Sequence, residues 1–221
     1  MIHRALIAFA FIMLLLGYAL VADEPARLTI AAAGRPLVVL DPGHGGIDPG
    51  AVAHGVLEKS INLPVALAAG EALQSAGVAV VLTRRQDRPA LAANRFIVVD
   101  DLRYRAWLAR HLGASLFISI HTNSEPTGTV SGPIMYYIAG RVPSYHLAQD
   151  LAHAFRIQLG KTPEIRPIRQ LVLLETPVPG ATVEVGFLTH HLDARRLITP
   201  AYQHALGSAI ARGVLTYLHH A

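Results

Sequence analysis

From Arg35 onward, short apolar runs alternate with helix-length amphipathic segments. Leu37–Leu40 (LVVL) reads as a buried strand that stops at Asp41-Pro42-Gly43. Glu58–Ala76 has helical spacing, with Pro64 tolerable only in a first turn and Gly77 as the stop. Val78–Thr83 (VAVVLT) is a second strand, Asp101–Leu112 a helix closed at Gly113, and Ser115–His121 (SLFISIH) a third strand. Ile134–Ile138 is a fourth, after the turn signal Ser131-Gly132-Pro133. Ser144–Leu159 reads as a helix with Ser144 as its N-cap and Gly160 as its end. Leu171–Leu174 and Thr182–Val185 are strand-like, and a last helix runs from about Pro200 to Leu218. This alternation predicts an α/β fold over residues 36–221: a single three-layer domain, its mainly parallel twisted sheet covered by helices on both faces.

The first residues follow another pattern. Arg4 precedes an uncharged apolar stretch, residues 5–22, which is the layout of an export signal and is also just long enough to span a bilayer. Residues 1–22 are therefore read as a signal peptide or an N-terminal membrane anchor, and 23–35 as a tether. Either way the domain is expected to be exported, to the periplasm or the extracellular face of the cytoplasmic membrane.

Composition narrows the chemistry. A hydrophobic fraction of 52% with only 15% charged residues excludes a disordered chain. The absence of cysteine excludes disulfide scaffolds, thiol nucleophiles and cysteine-based metal sites. The net charge of +4 is spread along the chain and not gathered in a run, so it is weak evidence for nucleic acid, which is not expected as a partner, and fits an anionic polymer or membrane surface equally well. Twelve histidines in 221 residues direct attention to metal or acid–base chemistry.

In open α/β sheets the ligand site lies beyond the carboxyl ends of the strands. His44 sits there, in the Gly-rich turn after the first strand, and His121 stands at the end of the third. Glu58 opens the helix that follows the His44 loop, and Glu184 interrupts the apolar run Ala181–Gly186. Two histidines and a glutamate form the ligand set of a catalytic zinc site that keeps its fourth position for water. A second carboxylate free of metal serves hydrolysis as proton acceptor and donor, the role that suits Glu184. Asp41, Asp48, Ser119 and Asn123 are neighbours in sequence that are candidates to orient the imidazoles. His190 and His191 are read as solvated surface residues.

The segments VVLDPGHGGIDPGA (38–51), Glu58-Lys59, LFISIHTNS (116–124) and VEVGFLTH (183–190) resemble, in order, the zinc-dependent N-acetylmuramoyl-L-alanine amidases of amidase type 3. The resemblance covers nearly all of residues 36–218 and departs from the family at Thr189-His190-His191 and at Arg105–Arg110. It implies that 36–221 is a zinc amidase catalytic domain that splits N-acetylmuramic acid from the L-alanine of peptidoglycan stem peptides. By resemblance, His44, Glu58 and His121 hold one Zn2+ and Glu184 is the catalytic carboxylate. Some relatives carry an occluding helix between the second His and the catalytic Glu. Here that interval is shared among a strand, a helix and Pro-rich connections, so an open site is expected. The alternatives are another zinc peptidase acting on cell-wall peptides, and an inactive wall-binding module on the same fold.

Overall fold

The computed structural model describes residues 34–92 and 96–221. The signal or anchor reading of 1–22 and most of the tether lie outside the described residues. Among the described residues no helix is long and apolar enough to cross a membrane.

The chain runs β1 (Leu37–Pro42), β2 (Val52–Ala53), β3 (Val56–Leu57), α1 (Lys59–Ser75), β4 (Ala79–Leu82), α2 (Val98–His111), β5 (Leu116–Asn123), β6 (Ile134–Tyr137) and α3 (Val142–Leu159). It closes with β7 (Glu164–Pro167), α4 (Leu171–Glu175), β8 (Gly180–Phe187), α5 (His191–Leu197) and α6 (Pro200–His220). Six strands form one sheet in the order β4-β1-β5-β8-β6-β7. β4, β1, β5 and β8 are mutually parallel, whereas β6 runs antiparallel to β8 and β7 parallel to β6. The expected three-layer, mainly parallel α/β architecture is the one observed.

The period of two along each strand divides the sheet into unlike faces. Val38, Leu40, Ile118, Ile120, Ala181, Val183 and Val185 join α1, α3 and α6 in the main apolar cluster. The alternate positions carry Asp41, Ser119, His121, Thr182 and Glu184, paired in register as Asp41 with Ser119, Ser119 with Thr182, and His121 with Glu184. A polar stripe thus crosses the middle of the sheet on the face opposite the main cluster.

Asp41 is buried in that stripe, and an unpaired carboxylate there would be costly. Its oxygens accept hydrogen bonds from Thr83 Oγ1 (2.6 Å), Ser119 Oγ (2.8 Å) and Arg105 Nη1 (2.7 Å). Arg105, buried on α2, also donates to Asp101 (2.7 Å). Burial pushes the Asp41 carboxyl up, but Arg105, Thr83 and Ser119 together hold it below the usual carboxylate range.

Several elements differ from the sequence expectation. Leu171–Leu174, expected as a strand, is the start of helix α4. A four-residue apolar run does not distinguish strand from helix. The distant Arg141 decides the matter, donating to the carbonyls of Leu173 (2.8 Å), Leu174 (2.8 Å) and Thr176 (2.7 Å) at the end of α4. Ser144 is not an N-cap: α3 begins at Val142 with Pro143 in its first turn, and the Ser144 hydroxyl instead accepts the Gly180 N–H (3.1 Å). Pro64 lies inside α1, beyond its first turn. The carbonyl that loses its partner belongs to Ser60, an exposed residue. Three further elements, the β2–β3 hairpin, β7 and α5, are too short or too polar to stand out from the pattern.

Candidate active site

The turn after β1 brings the first histidine into place by an unusual backbone. His44 has a φ of 60°, a left-handed conformation rarely adopted by a residue with a side chain. The surroundings impose it. Gly45 N–H donates to Asp48 O (2.9 Å) and Asp48 N–H returns to Gly45 O (3.2 Å). Buried Arg105 donates to His44 O (2.9 Å), and Arg84, also buried, donates to Pro42 O and Gly43 O (both 2.9 Å). Lys59 Nζ holds Gly46 O (2.6 Å) from the other side.

Glu58 is the residue from which α1 departs. His121 and Glu184 are register partners on β5 and β8, so their side chains stand side by side on one face. His44, Glu58 and His121 each offer a ligand atom, and these atoms lie within 4.8 Å of one another. His44 Nε2 is 3.2 Å from Glu58 Oε2, and His121 Nδ1 is 2.9 Å from Glu58 Oε1. The three donors, remote in sequence, converge.

The close approach depends on two glycines. A Cβ on Gly43 would lie 2.2 Å from His121 Cε1, and one on Gly50 (φ +67°) would lie 2.6 Å from both Glu58 Oε2 and His44 Cδ2. No side chain fits at either position without displacing a donor.

The electrostatics favour positive charge between these groups. Burial works against a charged His44, but the Glu58 and Asp48 carboxylates outweigh it and push the imidazole up to about 9. His121 is raised in the same way, against burial, by Glu58 first and then by Glu184. Burial alone would push Glu58 up, but the two imidazoles draw it far below the usual carboxylate range. A centre that stabilises added protons between two imidazoles and a carboxylate suits a cation of the zinc class, whose preferred donors are these three. The donor set, its spacing and the glycine cradle all fit such an ion.

Glu184 differs from Glu58. It is 8% exposed, and its Oε2 has no hydrogen-bond partner. Burial, opposed chiefly by His121, pushes its carboxyl up to about 7. At neutral pH it stands poised between holding and releasing a proton. His44 and His121 remain 24% and 20% exposed, so the cluster reaches solvent. Between His121 and Glu184 the described helices are α3, packed on α6, and α4, packed on α2.

Of the residues expected to orient the imidazoles, only Asp48 does so, its Oδ2 lying 2.8 Å from His44 Nδ1. Asp41 and Ser119 bond each other behind the site, and Asn123 turns to the Ser124 N–H (2.8 Å). His190 is half-buried and caps α5 by accepting the Asp193 N–H (3.4 Å), so it is not a solvated residue, whereas His191 is exposed. Sequence reasoning overlooked Asn62, Thr122, Arg84 and the structural part played by Arg105. Asn62 carried a signal: it is a polar residue four positions after Glu58, among the buried Ile61, Val65 and Ala66.

Fold and site together define a three-layer α/β protein in which a His–Glu–His cluster with the spacing to hold a cation stands beside a free carboxylic acid. Within that class, the chain belongs to the N-acetylmuramoyl-L-alanine amidase family, whose sequence profile matches residues 38–216. It is 35% identical over 187 residues to the germination-specific N-acetylmuramoyl-L-alanine amidase of Bacillus subtilis, covering 82% of this chain and 79% of that protein. It is 30% identical to the amidase AmiA of Escherichia coli, over 84% of this chain and 77% of the relative. Among solved structures, the CwlD amidase of Clostridioides difficile, in complex with the GerS lipoprotein, superposes with a TM-score of 0.79 at 28% identity, covering 84% of this chain and 99% of that one. The amidase AmiC2 of Nostoc punctiforme gives 0.74 at 35% identity, covering 84% and 98%.

Proposed function

We propose that this protein hydrolyses the amide between N-acetylmuramic acid and L-alanine in peptidoglycan, with one zinc ion held by His44, Glu58 and His121. The observation that carries the reading is the convergence of those three donors within 4.8 Å beside a buried acid with an unpartnered oxygen. Family membership supports the choice of substrate. A zinc ion so bound supplies a Lewis acid for the scissile carbonyl and lowers the pKa of water toward neutrality.

The chain's own groups do the rest. Asp48, bonded to His44 Nδ1, fixes the tautomer that leaves Nε2 free to ligate. Glu184, raised to about 7, takes a proton from the attacking water and returns it to the departing alanine nitrogen. The absence of a hydrogen-bond donor on Glu184 Oε2 leaves that oxygen available for the transfer. An exported enzyme would meet this substrate in the cell wall.

Digestion of purified peptidoglycan, with mass analysis of the soluble products, tests the proposal. The expected products are stem peptides that begin with a free L-alanine amino group and glycan that retains its lactyl carboxylates. Fragments cut within the stem peptide would instead assign the protein to the zinc peptidases.

A further inference from the structure

We propose that Asn62 is a positioning residue that locks together the mounts of the three donors His44, Glu58 and His121. The inference rests on the metal-holding role of His44, Glu58 and His121.

Asn62 is fully buried and touches something belonging to each ligand. Its Nδ2 donates to Glu58 Oε1 (3.1 Å) and reaches Gly43 O (3.4 Å), the carbonyl just before His44. Its Oδ1 accepts the hydroxyl of Thr122 (2.9 Å), the residue after His121. The amide can take only this orientation, because both groups at its nitrogen are acceptors and the group at its oxygen is a donor. Helical spacing explains the geometry: four residues after Glu58, the Asn62 side chain lies on the same face of the α1 start.

The Glu58 carboxylate is anchored by the same set of bonds. Oε1 accepts N–H groups from Asn62 (3.1 Å) and from the Thr122 backbone (3.1 Å) and lies 2.9 Å from His121 Nδ1. Oε2 accepts the Ala51 N–H (2.9 Å) and lies 3.2 Å from His44 Nε2. Asn62 thereby fixes the carboxylate that stands between the two imidazoles.

The test uses the full chain and two probes, zinc in competition with a chromophoric chelator and cobalt(II) in its place. The visible spectrum of bound cobalt reads the arrangement of the donors around it. Asn62→Ala is expected to weaken zinc binding by about 10- to 100-fold. It is also expected to change the cobalt spectrum, because Glu58 loses a bond that holds it in place. Thr122→Val, which lets the amide rotate, is expected to shift both readouts less and in the same direction, while Thr122→Ser keeps the hydroxyl and preserves wild-type values. Should Asn62→Ala fail to fold, the Thr122 pair makes the same comparison. A zinc constant within about twofold of wild type, or a cobalt spectrum that does not change, overturns the inference alone. A wild-type chain that binds neither ion overturns the metal reading, and this inference with it.

Discussion

Glu184 and Glu58 are the same amino acid in two unlike environments, and that contrast defines the site. Glu58 accepts three N–H bonds and is flanked by imidazoles, so it stays ionised. Glu184 is buried with one oxygen unpartnered, so its proton is held near neutrality. Glu184→Gln is therefore expected to cut turnover on peptidoglycan by about 10²- to 10⁴-fold while zinc binding stays near wild type; equal loss of both would make Glu184 a ligand and not an acid. Gly43→Ala tests the cradle, since its methyl meets the His121 ring. Zinc affinity should fall sharply, and an unchanged affinity would show that the ring does not need that position. Both histidines and Glu184 were legible in the sequence because each breaks a local rule, a His in a Gly-rich turn or a charge in an apolar strand. Asp48 was legible by proximity. Asn62 was harder to see, since, Glu58 apart, its polar atoms are matched by groups that folding brings in from β5 and the His44 loop.

At the scale of elements, the site is a product of what lies behind it. Arg105 on α2 joins β1 through Asp41 and the His44 loop through the His44 carbonyl, so one buried guanidinium fixes both strand and turn. Arg105→Leu leaves Asp41 buried without its cation, and chemical denaturation should show a loss of about 3–5 kcal/mol; a loss below about 1 kcal/mol, the value of a surface pair, would contradict this. Asp41 also predicts a pH dependence. Its folded carboxyl titrates below its unfolded value, so it adds stability above about pH 4, and that contribution is lost as pH falls through the folded value. Wild type should therefore lose stability faster than Asp41→Asn on acidification below pH about 4, whereas parallel curves would assign the acid sensitivity elsewhere. The main strands and long helices were legible because their apolar periods are strong. The α4 helix was not, because what ends it is Arg141, 32 to 35 residues earlier in sequence than the carbonyls it holds, and no local pattern contains that information.

For the whole molecule, the topology explains why the site exists where it does. Four parallel strands deliver β1, β5 and β8 to one end of the sheet, and that end carries His44, His121 and Glu184. The helix that follows the β1 loop begins at Glu58 and completes the donor set. Residues Pro36–Ala221 form one compact unit, so the site is built within a single domain. The most direct test is a crystal grown with zinc and measured on both sides of the zinc absorption edge. One anomalous peak is expected, about 2.0–2.2 Å from a nitrogen of His44, a nitrogen of His121 and one oxygen of Glu58. No peak at that position, or a zinc bound only elsewhere on the chain, would contradict it.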